Sequence, residues 1–174
     1  SVIHVSNETG AVNDIAELAR RVKQKNPRTV FHSDGVQAFG KVDMRLGKEI
    51  DLYSVSAHKI GALKGTGALL RNKNCNAVSA YIHGGGQENG LRSGTENVFG
   101  IACFYYAAQA KFASLAEDGK RIARLKERLW ELLDKDIYTR ISPMDGSPYI
   151  LTVSAPGRRG ETMQRMLWDM GVAV

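Results

Sequence analysis

The chain has 174 residues, 43% of them hydrophobic, and a formal net charge of +6, which allows one domain or one domain and part of another. Its two cysteines provide no disulfide framework and suit a reducing cytoplasm. No stretch of about 18 apolar residues predicts a membrane span, and the basic residues form no recognisable nucleic-acid-binding motif.

Helical and extended patterns alternate along the chain, which predicts α/β layers. In the first helical pattern, Ile15, Leu18 and Val22 recur on one face. Asn97 is a candidate cap for a long helix, and Gly119 is its first predicted break. The predicted elements in chain order are a strand at 1–5, a helix at 13–25, strands near 28–33, 51–56 and 66–71, a helix from 96 to 119, a helix at 120–133, a strand at 149–153 and a helix from 160 to 170.

Two of the predicted helices carry conspicuous side-chain patterns. In the helix at 120–133, the basic residues are predicted to form a solvated face, because apolar residues recur on the other side. These apolar residues are Ile122, Leu125, Leu129, Leu132 and Leu133. In the helix that opens at Gly160, Met163, Met166 and Met170 lie on one side and are predicted to be core residues rather than a binding groove.

Lys59 and Asp34 lie at the carboxyl ends of two predicted strands. In open parallel α/β sheets, ligands bind at that edge. A lysine amine can condense with an aldehyde once it loses a proton, and an aspartate can keep a pyridine nitrogen protonated. The pairing therefore predicts a site for pyridoxal 5′-phosphate. Taken singly, Lys59 can be a solvated lysine and Asp34 a turn residue.

The neighbouring polar segments also have structural interpretations. Residues 7–10 have the composition of an ordinary turn, Ser56 can simply end a strand, and the glycine run at 84–86 can be a flexible connector. The four histidines lack metal-ligand spacing, and no Cys-x-x-Cys accompanies them, so no metal site is predicted.

Five ordered segments resemble cysteine desulfurases of the nitrogen-fixation and iron–sulfur-cluster type, in the class V aminotransferase family. The segments are His4–Gly10, His32–Val42, Ser54–Lys59, Lys64–Leu69 and His83–Asn97. Their order and spacing agree from Ser1 to about Ala110 and weakly to Val174. The resemblance implies a fold-type I α/β enzyme, with residues 1–115 in the large cofactor domain and residues 116–174 in a small C-terminal α+β domain.

The resemblance implies three catalytic residues. Lys59 would form the Schiff base with pyridoxal 5′-phosphate and shuttle a proton, and Asp34 would pair with the pyridinium nitrogen. His58 is counted with them because it adjoins the lysine, and its imidazole would bind the cofactor phosphate together with the Ser56 hydroxyl.

The resemblance implies three further cofactor contacts. Gln37 and Asn7 would hydrogen-bond the phenolic oxygen of the ring. Thr95 would reach across a homodimer interface to the phosphate held by the other subunit.

The function implied is conversion of L-cysteine to L-alanine in the cytoplasm. The sulfur would pass as a persulfide to an acceptor or scaffold protein for iron–sulfur-cluster or thio-cofactor assembly, without a nucleic-acid or membrane partner. Two alternatives stay open. Another fold-type I lyase or aminotransferase would share Asp34 and Lys59, and a non-catalytic dimerisation or scaffold piece would keep only the fold.

Where the chain starts and stops leads us to expect part of a longer enzyme. It ends on 171–174, which has the composition of an unfinished strand, and in the family the loop with the nucleophilic cysteine follows at about this point. The ring-stacking histidine lies upstream in the family and the substrate-binding arginine downstream. Cys75 and Cys103 do not match the catalytic thiol by position, so the 174 residues alone are predicted to be inactive.

Overall fold

The computed structural model describes all 174 residues, and its first four strands form one sheet in the order β1-β2-β3-β4. The elements are β1 (Val2–Ile3), α1 (Ile15–Lys25), β2 (His32–Asp34), β3 (Leu52–Ser56), β4 (Gly67–Arg71), α2 (Val98–Leu132), β5 (Thr139–Arg140), β6 (Val153–Ser154) and α3 (Gly160–Asp169). Strands β1, β2 and β3 are parallel, and β4 pairs with β3 in the antiparallel direction. This sheet and its helices confirm the predicted α/β class.

Helix α1 covers one face of the sheet, as its apolar pattern predicts. The Asp14 carboxylate caps the helix by accepting a hydrogen bond from the backbone N–H of Glu17, an arrangement that stabilises a helix by about 1 kcal/mol. The buried cluster beneath it consists of Ile15, Ala19, Phe31, Ile50, Tyr53 and Val55. Burying each large apolar side chain of this kind contributes roughly 1.5–3 kcal/mol.

Strand β2 begins later than the apolar composition predicts. The Asp51 carboxylate accepts hydrogen bonds from the backbone N–H of Phe31 at 2.7 Å and from the Lys23 ammonium at 2.6 Å. Lys23 also donates to the carbonyl of Thr29. Because side chains occupy these backbone groups, the prediction of a strand from residue 28 is wrong, and only His32 to Asp34 pair as a strand.

Helix α2 runs without interruption for 35 residues. Asn97 caps it, as predicted, by accepting from the backbone N–H of Gly100. The predicted break at Gly119 is wrong, and the predicted domain boundary between residues 115 and 116 falls inside the helix. Its N-terminal half packs on the segment after β2, where the Phe39 ring lies 5.8 Å from Phe104 and 5.1 Å from Phe112, centroid to centroid, with both pairs edge to face.

The C-terminal half of α2 departs from the predicted faces at three leucines and at Lys126. Leu125, Leu129 and Leu132 are more than half exposed, whereas Lys126 is buried. The Lys126 ammonium donates to the carbonyl of Ser147 at 2.8 Å, and burial lowers the pKa of Lys126. The prediction that all the basic residues are solvated is therefore wrong at Lys126, because a backbone acceptor faces the helix there.

The last part of the chain forms a short β5–β6 ribbon followed by α3. The predicted strand at 149–153 is reduced to β6, and residues 171–174 form no strand. Helix α3 ends before Gly171 as predicted. However, 60% of Met166 and 75% of Met170 is exposed, so the prediction that these methionines are core residues is wrong.

The segment before β6 contacts the turn that follows β1. The backbone N–H of Ser147 donates to the carbonyl of Gly10 at 2.7 Å, and the Thr152 hydroxyl donates to the carbonyl of Glu8. At Gly146, a Cβ would lie 2.7 Å from the Gly10 carbonyl oxygen. The two backbones therefore approach each other closely. None of the helices combines the length and the apolar composition that crossing a bilayer requires.

Two glycines of α2 predict opposite responses to alanine. At Gly119 a Cβ would meet no atom within 4 Å, so Gly119→Ala is expected to stabilise the chain by roughly 0.5–1 kcal/mol through the helix propensity of alanine. Gly100→Ala is the matched control, because its Cβ would collide with the Thr66 hydroxyl and the Asn97 amide. Urea unfolding measures both. Destabilisation by Gly119→Ala would contradict a continuous helix.

Candidate functional site

The carboxyl ends of β1, β2 and β3 lie at the same edge of the sheet. Ile3 pairs with Asp34, and Asp34 pairs with Ser54. Two backbone bonds extend this parallel register beyond the strands, from His4 N–H to the Asp34 carbonyl at 2.8 Å and from Gly35 N–H to the Ser54 carbonyl at 2.9 Å. The residues that follow each strand therefore emerge side by side, as the positions of Asp34 and Lys59 in the sequence predict.

Asp34 ends β2, and its carboxylate is half-buried. Its Oδ1 accepts from the backbone N–H of Val36 at 2.9 Å, and its Oδ2 makes no hydrogen bond within the chain. The next residue must be glycine, because a Cβ at Gly35 would collide with the ring of Tyr53. The turn thus fixes one carboxylate oxygen and leaves the other for a ligand.

Lys59 lies in a single 3₁₀ turn, Ala57–Ile60, directly after β3. Ala57 and Ile60 are buried, whereas His58 and Lys59 are exposed. The Ser56 hydroxyl lies 3.0 Å from Nδ1 of His58. The Lys59 ammonium has no hydrogen bond or ion pair within the chain, so its nitrogen is available to an external group.

Gln37 lies on a helical turn that follows Asp34, and its Oε1 accepts from the Lys41 ammonium at 2.9 Å. Both side chains are half-buried. Burial lowers the pKa of Lys41, and repulsion from the charges of Lys59 and Lys111 lowers it further. Sequence reasoning gave Lys41 no role, and the only signal for it was the i, i+4 spacing from Gln37.

A buried polar pair supports the Asp34 turn from below. The Tyr53 hydroxyl lies 2.8 Å from Nδ1 of His4 and 3.6 Å from the sulfur of Met44. Burial lowers the pKa of His4 and raises the pKa of Tyr53. The negative charge of Asp34 raises the pKa of Tyr53 further. Both groups therefore stay neutral around pH 7. Sequence reasoning missed this pair because its members are 49 residues apart.

The structure does not bring Asn7 and Thr95 into contact with the other candidates. Asn7 is exposed, and its amide donates to the carboxylate of Glu8 at 2.9 Å. Thr95 is exposed in the segment before α2 and makes no hydrogen bond within the chain. That segment stays near the lysine turn, because the Asn97 amide lies 3.4 Å from the Thr66 hydroxyl and the Thr66 carbonyl accepts from Ala57.

The glycine-rich loop before α2 is fully or partly exposed over most of its length. Two of its residues, Glu88 and Asn89, have positive φ angles of 49° and 55°. Left-handed backbone is unfavourable for residues other than glycine, although asparagine tolerates it best. The two cysteines are unpaired, with Cys75 buried and Cys103 half-buried, and no group of three or more His, Cys, Asp or Glu side chains has the arrangement of a metal site.

The chemistry of these donors fits pyridoxal 5′-phosphate. The group has an aldehyde for the free Lys59 amine and a ring nitrogen that a carboxylate such as Asp34 can hold protonated. A hydroxyl and an imidazole, here Ser56 and His58, both donate to phosphate oxygens. The Gln37 amide offers N–H groups to a phenolic oxygen.

The chain is similar to known proteins over its full length. The family model for class V aminotransferases matches residues 1–174. A cysteine desulfurase IscS from Serratia proteamaculans is 37% identical over 99% of the chain, and one from Pseudomonas aeruginosa is 36% identical over the same share. The chain spans 43% of the length of each of these relatives.

Solved structures agree with the sequence relatives. A NifS-like protein superposes with a TM-score of 0.93 at 38% identity, over 99% of this chain and 47% of that one. A NifS-like protein from Rickettsia africae gives 0.92 at 31% identity, over 99% of this chain and 48% of that one. These likenesses agree with the predicted fold-type I architecture.

The buried His4 imidazole predicts a loss of stability in acid. The pKa of His4 is lower in the folded chain than its ordinary value of 6.5, so below that pH the unfolded chain binds more protons and the folded state is disfavoured. The free energy of unfolding is expected to fall by up to about 1.4 kcal/mol per pH unit below pH 6.5. His4→Gln should reduce that slope, and His83→Gln, at an exposed site, should keep it. Urea unfolding between pH 5 and 8 tests this, and equal slopes in the two variants would contradict it.

Proposed function

Because the chain belongs to the class V aminotransferase family, we propose that its protein is a cysteine desulfurase that uses pyridoxal 5′-phosphate. The reaction converts L-cysteine and a thiol into L-alanine and a persulfide: the carbon–sulfur bond breaks, a sulfur–sulfur bond forms, and the carbon that lost sulfur gains a proton. An acceptor or scaffold protein then receives the sulfur for iron–sulfur-cluster or thio-cofactor assembly. The proposal concerns the whole protein that contains these residues.

One observation carries the proposal. A carboxylate with a free oxygen and a lysine with a free amine lie at the ends of neighbouring parallel strands, at Asp34 and Lys59. Ligands bind at this edge in open α/β sheets. The relatives that match 99% of the chain are named as cysteine desulfurases, which supports this substrate over those of other fold-type I enzymes.

The cofactor, when bound, supplies an electron-withdrawing ring that acidifies the α-carbon of an amino acid. Asp34 Oδ2 holds the proton on the ring nitrogen, while its Oδ1 stays fixed by Val36. Lys59 Nζ would hold the cofactor through its aldehyde and would move the proton at the α-carbon. Lys59 is exposed on a turn that the buried residues Ala57 and Ile60 anchor, which gives the amine freedom without moving the backbone.

The remaining candidates bind and orient the cofactor. Ser56 and His58 hold the phosphate, and their side chains already lie together, with the Ser56 hydroxyl 3.0 Å from Nδ1 of His58. Gln37 and Asn7 donate to the ring oxygen. One N–H of the Asn7 amide donates to Glu8, which leaves its second N–H for the ring oxygen.

We also propose that the protein is a cytoplasmic homodimer with residues 1–115 in its cofactor domain and residues 116–174 in its smaller domain. A homodimer with two-fold symmetry is the commonest soluble oligomer. The exposure of Thr95 and its lack of bonding within the chain support a role toward a second subunit. The two unpaired cysteines suit a reducing compartment.

Treatment with stoichiometric pyridoxal 5′-phosphate and borohydride is expected to fix the cofactor on Lys59. The reason is that this amine is exposed and free of partners, and that Ser56 and His58 provide phosphate donors beside it. Peptide mass spectrometry locates the adduct. Lys59→Ala should abolish it, whereas Lys64→Ala, at a neighbouring exposed lysine, should leave it intact. An adduct mainly on Lys41 or Lys64 in the wild type would refute the assignment.

In the full-length enzyme, subunit mixing is expected to show that Thr95 acts across the dimer. A dimer of one Thr95→Ala subunit and one Lys59→Ala subunit would carry both lesions in one site and leave the other intact. Half of its sites should therefore retain the cofactor with wild-type affinity, as measured by absorbance after dialysis. A mixed dimer in which every site carries one lesion would assign Thr95 to the site of its own subunit.

A further inference from the structure

The Lys41 ammonium occupies an unusual position next to the site. It is half-buried, and no carboxylate forms an ion pair with it. The charged groups that face it are the ammonium groups of Lys59 and Lys111, which raise the cost of its own charge. A cation that is partly desolvated and surrounded by cations lowers stability unless a specific contact offsets that cost.

The specific contact is with Gln37. The Lys41 Nζ donates to Gln37 Oε1 at 2.9 Å. An ammonium has only hydrogen-bond donors, so it can accept nothing from the amide nitrogen of a glutamine. The Gln37 amide is therefore held with its oxygen toward Lys41 and its Nε2 group toward the opposite side. Nε2 has no hydrogen-bond partner within the chain.

We propose that Lys41 is a positioning residue that selects the orientation of the Gln37 amide, so that Nε2 is presented as a donor to the ring oxygen of the cofactor. The inference rests on the proposed function. Without the ammonium, the amide can turn its oxygen outward, where it would repel the anionic ring oxygen. Gly40 precedes Lys41 with a φ of 68°, and there the backbone passes close to Lys111 and Ile60.

The contact itself is tested in the 174-residue chain by carbon-detected NMR. The Gln37 Cδ and Lys41 Cε resonances are expected to titrate with one common midpoint at alkaline pH. In Lys41→Met the Gln37 resonance should lose that titration, and in Lys111→Met, which removes a nearby charge without touching Gln37, it should keep it. If the chemical shift of Gln37 Cδ does not change when Lys41 loses its proton, the proposal is overturned.

The consequence for the cofactor is tested in the full-length enzyme with pyridoxamine 5′-phosphate, which has the ring oxygen but cannot condense with Lys59. Lys41→Met is expected to weaken its binding about tenfold, the effect of losing one hydrogen bond to a charged group. Lys41→Arg keeps a donor-only cation and should restore most of the affinity. With 3-deoxypyridoxamine 5′-phosphate, which lacks the oxygen, Lys41→Met should cost no affinity. An equal loss with both ligands would overturn the proposal.

Two readouts separate this inference from its alternatives. A purely structural lysine would lower the free energy of unfolding when replaced, whereas Lys41→Met removes a partly buried charge and is expected to leave that free energy unchanged or higher. In the background of Gln37→Ala, Lys41→Met should add no further loss of affinity, since the amide it orients is gone. A failed Lys59 adduct would refute the proposed function, while an intact adduct with no effect of Lys41→Met would refute only the role of Lys41.

Discussion

The parallel register of β1, β2 and β3 determines where Asp34 and the turn that carries Lys59 lie. With Ile3 beside Asp34 and Asp34 beside Ser54, three strand ends coincide, and the chain leaves all three in the same direction. A shift by one residue would turn Asp34 to the other face of the sheet, because successive side chains alternate. The backbone hydrogen bonds donated by His4 and Gly35 continue this register at the edge of the sheet where the strands end.

The site combines an acid that is held in place with an amine that has no partner within the chain. Asp34 is held by a turn that only glycine permits and rests on a buried hydroxyl and imidazole that stay neutral. Lys59 has no such support beyond its backbone turn. This division suits chemistry in which one group must keep a fixed position against a planar ring while the other changes partners.

Local patterns predicted much of this arrangement. The cap at Asn97, the amphipathic α1 and the strand ends at Asp34 and Ser56 follow from residues adjacent in sequence. What could not be predicted depends on distant partners. Phe31 leaves the strand because its N–H donates to Asp51, and Lys126 is buried because a carbonyl 21 residues away accepts a hydrogen bond from its ammonium.

Gly119 is a position where the local pattern predicted an interruption that the packed structure does not have. Glycine disfavours a helix by only about 1 kcal/mol relative to alanine. The helix-stabilising contributions of the residues on either side exceed this cost. The composition therefore marked a break that the helix does not have. The contact between Gln37 and Lys41 was equally hidden, because a spacing of four residues has meaning only once the turn between them is known.

The contact between the turn that follows β1 and the segment before β6 leads us to expect an order of assembly. Glu8 and Thr152 are separated by 144 positions, and closing a loop of that length is slower than forming the local pairs that build the β3–β4 hairpin. During synthesis from the N-terminus, the edge that carries Asp34 and Lys59 can form as soon as β4 is complete. The turn that carries Asn7 gains its last hydrogen bonds only when residues 147 and 152 have been made. We therefore expect the acid and the amine to belong to an early-folding part of the molecule, and the Asn7 side of the same edge to be completed last.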